Sequence, residues 1–175
     1  LIENLIKPFE DEEVCAAYGR QMADKNDNPV EAYTRIFNYP KESRIKSKED
    51  LPKLGIKTFF CSNVCAAYRK SEYNALGGFP LHTIFNEDMI FAGKALLQDD
   101  YAVAYAAGAR VIHSHNYNCR QQFKRNFDLA VSQADHPELF GCVRSESEGI
   151  RLVKSTAHFL IRRGKPSVSY THLTL

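Results

Sequence analysis

Short apolar runs alternate with longer mixed segments along the chain, and this pattern predicts both strands and helices. Four apolar, β-prone runs are bounded by turn residues, as buried strands are, at 14–18 (closed by Gly19), 59–68, 101–105 and 109–112. Apolar residues at helical spacing predict helices over 69–76, 87–97, 119–134 and 149–163. The mixture of the two kinds of element predicts a single α/β domain.

The polar segment 24–57 separates the first predicted strand from the second. It contains three prolines and the charged run 41–50, so we expect a long connection with one short helix. Connections of this length inside a compact domain usually carry function.

Two local signals mark the helix predicted over 87–97 and the end of the one before it. Asn86 is a good N-cap residue, and Glu87 and Asp88 fall in the first turn, where the helix dipole favours acids. Gly77-Gly78 breaks the preceding helix. Such a pair is most often a C-cap, and it can also form a loop whose backbone approaches a ligand.

Composition places the chain among ordinary folded proteins. It has 175 residues, 44% of them hydrophobic, and 23 basic against 21 acidic side chains. These values exclude disordered, collagen-like and disulfide-scaffold classes. A net charge of +2 is too small to predict nucleic-acid binding. The charge is nevertheless uneven, because residues 1–13 are acidic and residues 120–165 are basic.

Cysteine usage and hydropathy bear on the compartment. The five cysteines are an odd number at irregular spacing, which fits a reducing cytoplasm better than a secreted disulfide framework. The longest uncharged apolar stretch, 101–109, is about half of what a membrane-spanning helix needs. We therefore expect a cytoplasmic protein with no transmembrane segment.

Both ends indicate a piece of a longer protein. The chain starts inside a helix-like segment without an initiator Met. Residues 167–175 resemble translated adapter sequence, so we treat them as a non-native tail and give His172 no role.

Six sequence blocks, in order, resemble the catalytic half of a family 2 glycosyltransferase with the GT-A fold, and more narrowly bacterial rhamnosyltransferases. The blocks are Tyr18-Gly-Arg-Gln21, Arg35-Ile-Phe-Asn-Tyr-Pro40, Ser62-Asn-Val-Cys-Ala-Ala-Tyr-Arg69, Asn86-Glu-Asp-Met-Ile90, His113-Ser-His-Asn-Tyr117 and Gln122-Phe-Lys-Arg-Asn-Phe-Asp128. The resemblance implies a partial GT-A fold, a mixed sheet flanked by helices, with residues 1–166 as its C-terminal part. The family's nucleotide-binding strands and its Asp-x-Asp motif would precede Leu1, and the chain contains no Asp-x-Asp.

The resemblance also implies an activity. It is inverting transfer of a sugar, L-rhamnose from dTDP-L-rhamnose, to a glycan or lipid-linked acceptor in envelope polysaccharide synthesis. The implied partners are the nucleotide-sugar donor, the acceptor and the inner face of the membrane, without nucleic acid. We expect residues 1–175 alone to be inactive. The alternative from another class is a non-catalytic acceptor-binding module that lacks the donor half.

The acidic pair at 87–88 is the candidate catalytic site. Neighbouring helical residues point about 100° apart, so the two carboxylates cannot flank one glycosidic bond as a hydrolase pair does. The resemblance assigns the general base to Asp88, and Glu87 is then a support that holds the acceptor. It places Asn86, Gly77, Gly78, Phe79 and Arg20 on the acceptor or donor. The alternative for the pair is two ordinary first-turn acids.

His113 and His115 follow a strand at a spacing of two, which predicts that both imidazoles lie on one side. By resemblance, His113 completes a Mn²⁺ or Mg²⁺ site, with His115 as the second candidate. Hydrogen-bonded structural histidines remain the alternative. A zinc site with Cys61 and Cys65 is disfavoured, because an extended 59–68 would hold the two thiols about 13 Å apart.

Arg120, Lys124 and Arg125 accompany Phe123 and Phe127 in the helix predicted over 119–134. Such a pattern also occurs in nucleic-acid binders, but a solvated basic face is its commoner cause. Contact with an anionic lipid surface or a diphosphate-linked acceptor is the second interpretation.

Overall fold

The computed structural model describes residues 1–98, 101–115, 117–143 and 146–165, and the proposed tail 167–175 lies outside them. The helices are α1 (Ile2–Ile6), α2 (Pro29–Asn38), α3 (Leu51–Leu54), α4 (Lys70–Ala75), α5 (Glu87–Gln98), α6 (Cys119–Ala134), α7 (Pro137–Phe140) and α8 (Glu146–Arg162). The strands are β1 (Val14–Met22), β2 (Arg44–Lys46), β3 (Ala66–Tyr68) and β4 (Ala102–Ile112). Short 3₁₀ turns cover Lys7–Glu10, Lys48–Asp50, Gly55–Thr58 and Asn63–Cys65.

The strands form one mixed sheet in the order β2-β4-β1-β3. β1 and β4 are parallel neighbours, and β2 and β3 pair with them antiparallel at the two edges. The expected α/β class, with a mixed sheet flanked by helices, is therefore confirmed. Its assignment to GT-A stays a prediction.

The two central strands are buried on both faces, which explains their nearly continuous apolar sequences. On one face, Tyr18 and Tyr105 pack with Phe91 of α5 in a core rich in aromatic rings. The opposite face is formed mainly by alanines and is closed by Leu5 of α1 and the partly buried Phe9. Small side chains on this face allow the short α1 to lie close to the sheet.

The sequence pattern predicted that the first strand closes at Gly19, and this prediction is wrong. β1 continues to Met22, and a Cβ at position 19 would lie 2.6 Å from the Ala109 carbonyl oxygen. The glycine is needed for close approach between strands and not for a turn. The two strands predicted at 101–105 and 109–112 are likewise one strand, β4, whose register shifts where Gly19 and Arg20 pair with it.

The strand predicted over 59–68 is wrong for most of its length. Only Ala66–Tyr68 is a strand, and it is preceded by the 3₁₀ turn Asn63–Cys65. The segment 24–57 holds more structure than expected, because it contains α2, the edge strand β2 and α3. The edge strand β2 lies within the charged run, and the side chain of its last residue, Lys46, is buried.

The later helices agree with their sequence patterns. α4, α5, α6 and α8 lie within two or three residues of the predicted ranges. Asn86 stands immediately before α5, and its carbonyl accepts the first helical hydrogen bond, from the Ile90 N–H at 2.8 Å. Its φ of +66° lies in the left-handed region, which asparagine tolerates better than most residues.

Because β1 and β4 are parallel, their carboxyl ends meet at one edge, where Met22 pairs with Ile112. The residues that follow both strands are thereby brought together. Among the described residues, no helix combines the length and apolar character needed to cross a membrane.

Candidate functional site

A buried polar chain lies at the end of β1. Gln21 is only 3% exposed, and its side-chain amide donates to Ser62 Oγ at 2.6 Å. Its carbonyl Oε1 accepts from Arg35 Nη1 at 2.6 Å, and Arg35 Nη2 donates to Glu31 at 2.6 Å. A buried amide with partners at both ends has a fixed orientation. Strand β1, helix α2 and the turn at Ser62 are therefore held by one set of hydrogen bonds.

The Asp88 carboxylate lies in the first turn of α5 and contacts the turn after Ser62. Oδ2 accepts from the Asn63 backbone N–H at 3.0 Å, and Oδ1 accepts from the Met89 N–H at 2.8 Å. Burial raises the pKa of Asp88, and the neighbouring Glu87 charge adds to this, while the backbone N–H donors act in the opposite sense. The result is a positioned carboxylate that is more basic than an exposed aspartate.

Asn63 connects both acids to the aromatic core. Its amide donates to Glu87 Oε1 at 2.9 Å, and its Oδ1 accepts from the Tyr68 hydroxyl at 2.5 Å. Glu87 and Asp88 thus meet on the same residue although they diverge on the helix. Sequence reasoning gave Asn63 no role, even though it lies inside a block that carried the resemblance.

Ser62 and Asn63 are consecutive, so the two clusters form one polar network from Glu31 to Glu87. Tyr39 lies beside Ser62, and burial raises its pKa to about 12. Burial likewise raises the pKa of the Cys61 thiol to about 12, with the Asp88 charge as the next cause. Both groups therefore stay protonated near neutral pH.

Asn86 and Arg20 are the two predicted site residues with unsatisfied polar atoms. The buried Asn86 Nδ2 and the Arg20 Nε have no hydrogen-bond partner. Arg20 immediately precedes Gln21 on β1. It lies near Tyr105, and its positive charge acts to lower the pKa of that phenol against the larger effect of burial, which raises it. Buried donors without partners are uncommon in folded proteins. Both donors are therefore free to contact a ligand.

Gly77 and Gly78 form the C-terminal cap of α4. Gly78 N–H donates to the Tyr73 carbonyl at 2.8 Å, and both glycines have φ near +70° to +80°. Phe79 packs edge-on against Tyr68, Tyr73 and Phe91, with ring centroids 5.1–6.0 Å apart. The C-cap interpretation is confirmed, and a ligand role for the three residues stays a prediction.

The two histidines lie together just beyond β4, where the His113 N–H donates to the Met22 carbonyl at 3.0 Å. Their rings are in edge contact at 4.4 Å, and His115 stacks on Tyr117 at 4.8 Å. Burial lowers the pKa of both, and the positive charges of Arg35 and Arg125 lower it further. Both imidazoles are therefore neutral near pH 7.

The described residues do not by themselves complete a metal site. Neutral imidazoles are suitable ligands. However, no group of three or more His, Cys, Asp or Glu side chains in the described part of the chain could hold an ion. The same finding disfavours the zinc interpretation. Its original reason does not hold, because the stretch between Cys61 and Cys65 is not extended.

Comparison with known proteins supports the resemblance to bacterial rhamnosyltransferases. The chain is 47% identical over 164 residues to "O-antigen chain rhamnosyltransferase WbaN" of Salmonella anatum. It is 48% identical over 164 residues to "O-antigen chain rhamnosyltransferase RfbN" of Salmonella typhimurium. Each match covers 92% of this chain and 51% of the relative, so the chain spans about half the length of the curated relatives it matches. No protein-family model and no solved structure matches the chain.

Sequence reasoning also missed Lys46, a buried cation next to this network. It is 3% exposed, donates to the carbonyls of Lys57 at 3.2 Å and of Phe60, and lies 5.0 Å from the centre of the Tyr18 ring. Burial lowers its pKa to about 7. The burial of Lys46 could not be predicted from the sequence, because it is one of several charged residues in the run 41–50 and nothing distinguishes it from an exposed lysine.

Proposed function

We propose that this chain is the catalytic part of an inverting rhamnosyltransferase that acts in O-antigen polysaccharide synthesis. Two similar proteins, at 47% and 48% identity, are named O-antigen chain rhamnosyltransferases. The structural observation that supports it is the Asp88 carboxylate, held by two backbone N–H groups and made more basic by burial. In this proposal the chain adopts the family 2 GT-A fold.

Asp88 is the general base. One carboxylate oxygen takes the proton of the acceptor hydroxyl as that oxygen forms a bond to the anomeric carbon of the donor. The bond from this carbon to the diphosphate oxygen breaks, and its electron pair leaves with the nucleotide. Each Asp88 oxygen accepts one hydrogen bond from the protein, and a carboxylate oxygen has room for a second. The acceptor hydroxyl can therefore bind Asp88 while both backbone N–H hydrogen bonds to its carboxylate are kept.

The neighbours of Asp88 orient it and the acceptor. Asn63 holds Glu87 and contacts Asp88 at the same time, so it fixes the angle between the two acids. We assign Glu87 and Asn86 to the acceptor hydroxyls. Gly77, Gly78 and Phe79 border the acceptor, and Arg20 faces the donor diphosphate, which its charge would attract.

The partners are dTDP-L-rhamnose as donor and a glycan or lipid-linked acceptor at the inner face of the membrane. A divalent cation, Mn²⁺ or Mg²⁺, would neutralise the leaving diphosphate when bound. His113 would be one ligand, with His115 as the weaker candidate, and the other ligands would come from outside the described residues. We propose that residues 1–166 are the C-terminal part of one such domain in a longer polypeptide, and that the chain alone is inactive.

Substitution of Asp88 in the complete polypeptide tests this proposal. Asp88→Asn keeps the size of the side chain but removes the base, so transfer should fall by roughly 10²–10⁴. Donor affinity and the folded state should be retained. Asp128→Asn, a change of the same kind on α6, is the matched control and should leave transfer unchanged. Turnover of Asp88→Asn within about threefold of wild type, far short of that range, would contradict the assignment.

A second measurement separates the enzyme from a non-catalytic acceptor-binding module. Recovering the upstream coding sequence should show an Asp-x-Asp motif preceded by nucleotide-binding βα units. Residues 1–175 alone should show no transfer, and calorimetry should detect weak donor binding or none. Micromolar affinity of this chain for the donor would refute the upstream location of the donor site.

A further inference from the structure

One face of α6 carries exposed aromatic rings between exposed cations. Arg120, Phe123, Lys124 and Phe127 occupy positions i, i+3, i+4 and i+7 of the helix, so they form one stripe along it. Phe123 is 70% exposed and Phe127 is 60% exposed. The same side chains, with Gln121, line an open groove. We call these four residues the α6 stripe.

The opposite side of α6 fixes the helix to the rest of the molecule. Ser132 is buried, and its hydroxyl donates to the Phe85 carbonyl at 2.5 Å. The Arg125 guanidinium lies over the rings of Phe85 and Tyr117, at 4.7 and 5.9 Å. The helix start is closed by a capping box between Asn118 and Gln121. These contacts show which side of α6 packs on the rest of the molecule, and Phe123 and Phe127 lie on the other side.

We propose that the α6 stripe binds an anionic lipid surface. Phenylalanines on one helix face, flanked by Arg and Lys, match the chemistry of a helix lying in the headgroup region. There the rings enter the acyl boundary and the cations contact lipid phosphates. Two of the four stripe residues are cations and none is acidic, so the charge of the stripe complements an anionic surface.

Two other occupants fit less well. A two-fold contact between copies would bring four stripe cations to one interface, and the stripe contains no acidic side chain to offset them. A nucleic acid would accept the cations, but the net charge of +2 is low for a phosphate-binding domain. A lipid surface uses both the rings and the cations. The proposal does not depend on the transferase activity.

The position of α6 in the fold would bring one edge of the sheet close to the bound lipid surface. The helix begins four residues after His115, at the edge of the sheet where β1 and β4 end. A lipid surface under α6 would hold this edge near the membrane. A lipid-linked acceptor would then reach the site without leaving the bilayer.

Vesicle sedimentation with the complete polypeptide, of which this chain is proposed to be a part, tests the proposal. The polypeptide should bind vesicles containing phosphatidylglycerol, bind phosphatidylcholine vesicles far less, and lose binding as salt rises. Phe123→Ser with Phe127→Ser should weaken binding by roughly 10-fold or more. Arg120→Gln with Lys124→Gln should weaken it by roughly 5-fold for each cation removed.

Ile2→Ser is the matched control, because Ile2 is 71% exposed but lies in the acidic N-terminal segment. It should leave binding unchanged, and circular dichroism should show that every variant is folded. Equal binding to neutral vesicles, or no effect of either stripe variant, would overturn the proposal. So would tighter binding to an oligonucleotide than to anionic vesicles, or a dimer that the phenylalanine variant dissociates while vesicles do not bind.

Discussion

The polar network around Asp88 and the α6 stripe differ in how their side chains are satisfied. In the network, Gln21, Asn63 and Asp88 have protein partners at hydrogen-bond distance, and Gln21 is buried. In the stripe, Phe123 and Phe127 are open to solvent. A buried polar group that loses its partner destabilises the fold, whereas an exposed ring contributes little to it. The network should therefore respond to substitution in stability and chemistry, and the stripe only in binding.

After the loss of transfer in Asp88→Asn, we expect the largest effect at Lys46, beside the network. Its folded pKa of about 7 lies below the value of 10.5 for an unperturbed lysine, so the unfolded chain binds more protons between these pH values. The free energy of unfolding should rise by several kcal/mol across this window, since one pKa unit corresponds to about 1.4 kcal/mol. Urea titrations at several pH values measure this rise.

Lys46→Met should flatten that dependence, and Lys53→Met, at an exposed position on α3, should not. Equal pH dependence in the two variants would show that Lys46 is not buried as described.

Asn63 gives the most direct comparison with the stripe. Asn63→Leu leaves Glu87 and the Tyr68 hydroxyl without the amide that joins them, which should cost about 0.5–1.5 kcal/mol of unfolding free energy. Phe127→Ser should stay within about 0.5 kcal/mol of wild type. Denaturant unfolding at neutral pH measures both values. If Phe127→Ser proves the more destabilising of the two, the contrast between the regions is wrong.

His113 should affect metal dependence in the complete polypeptide. If it is a ligand, His113→Ala should raise the Mn²⁺ concentration for half-maximal activity by roughly 10-fold, about 1.4 kcal/mol. His115→Ala should do less, because its ring stacks on Tyr117. Because burial lowers the pKa of His113, metal affinity should persist somewhat below pH 6.5 before protonation removes it. An equal response of the two variants would reject the assignment to His113.

The smallest expected effect is the pH dependence of stability due to Asp88. Because its folded pKa is raised above 3.8, the folded state binds more protons in the window between the two values. Stability from this group therefore falls as pH rises through that window. Asp88→Asn should remove this contribution, as acid titrations of unfolding free energy would show. A dependence unchanged by the substitution would mean that the carboxylate is not desolvated.

The sequence by itself determined the α/β class and most helices, because apolar periodicity and capping residues act locally. α6 was predicted with its observed bounds, and Asn86 was placed correctly before α5. The acidic pair was placed correctly in the first turn of a helix and the two histidines after a strand, whereas their catalytic and metal-binding roles stay predictions. The names of the similar proteins agree with the resemblance that these blocks suggested.

Only the tertiary structure decided how distant segments meet. Gly19 continues a strand because the Ala109 carbonyl approaches it from β4, a contact that local sequence does not encode. Asn63 joins Glu87 to Asp88 across 24 and 25 residues of chain. Lys46 can be buried because the carbonyls of Lys57 and Phe60, later in the chain, accept hydrogen bonds from its side-chain nitrogen. Period and propensity predict which elements form, whereas burial and hydrogen-bond partners depend on which elements pack together.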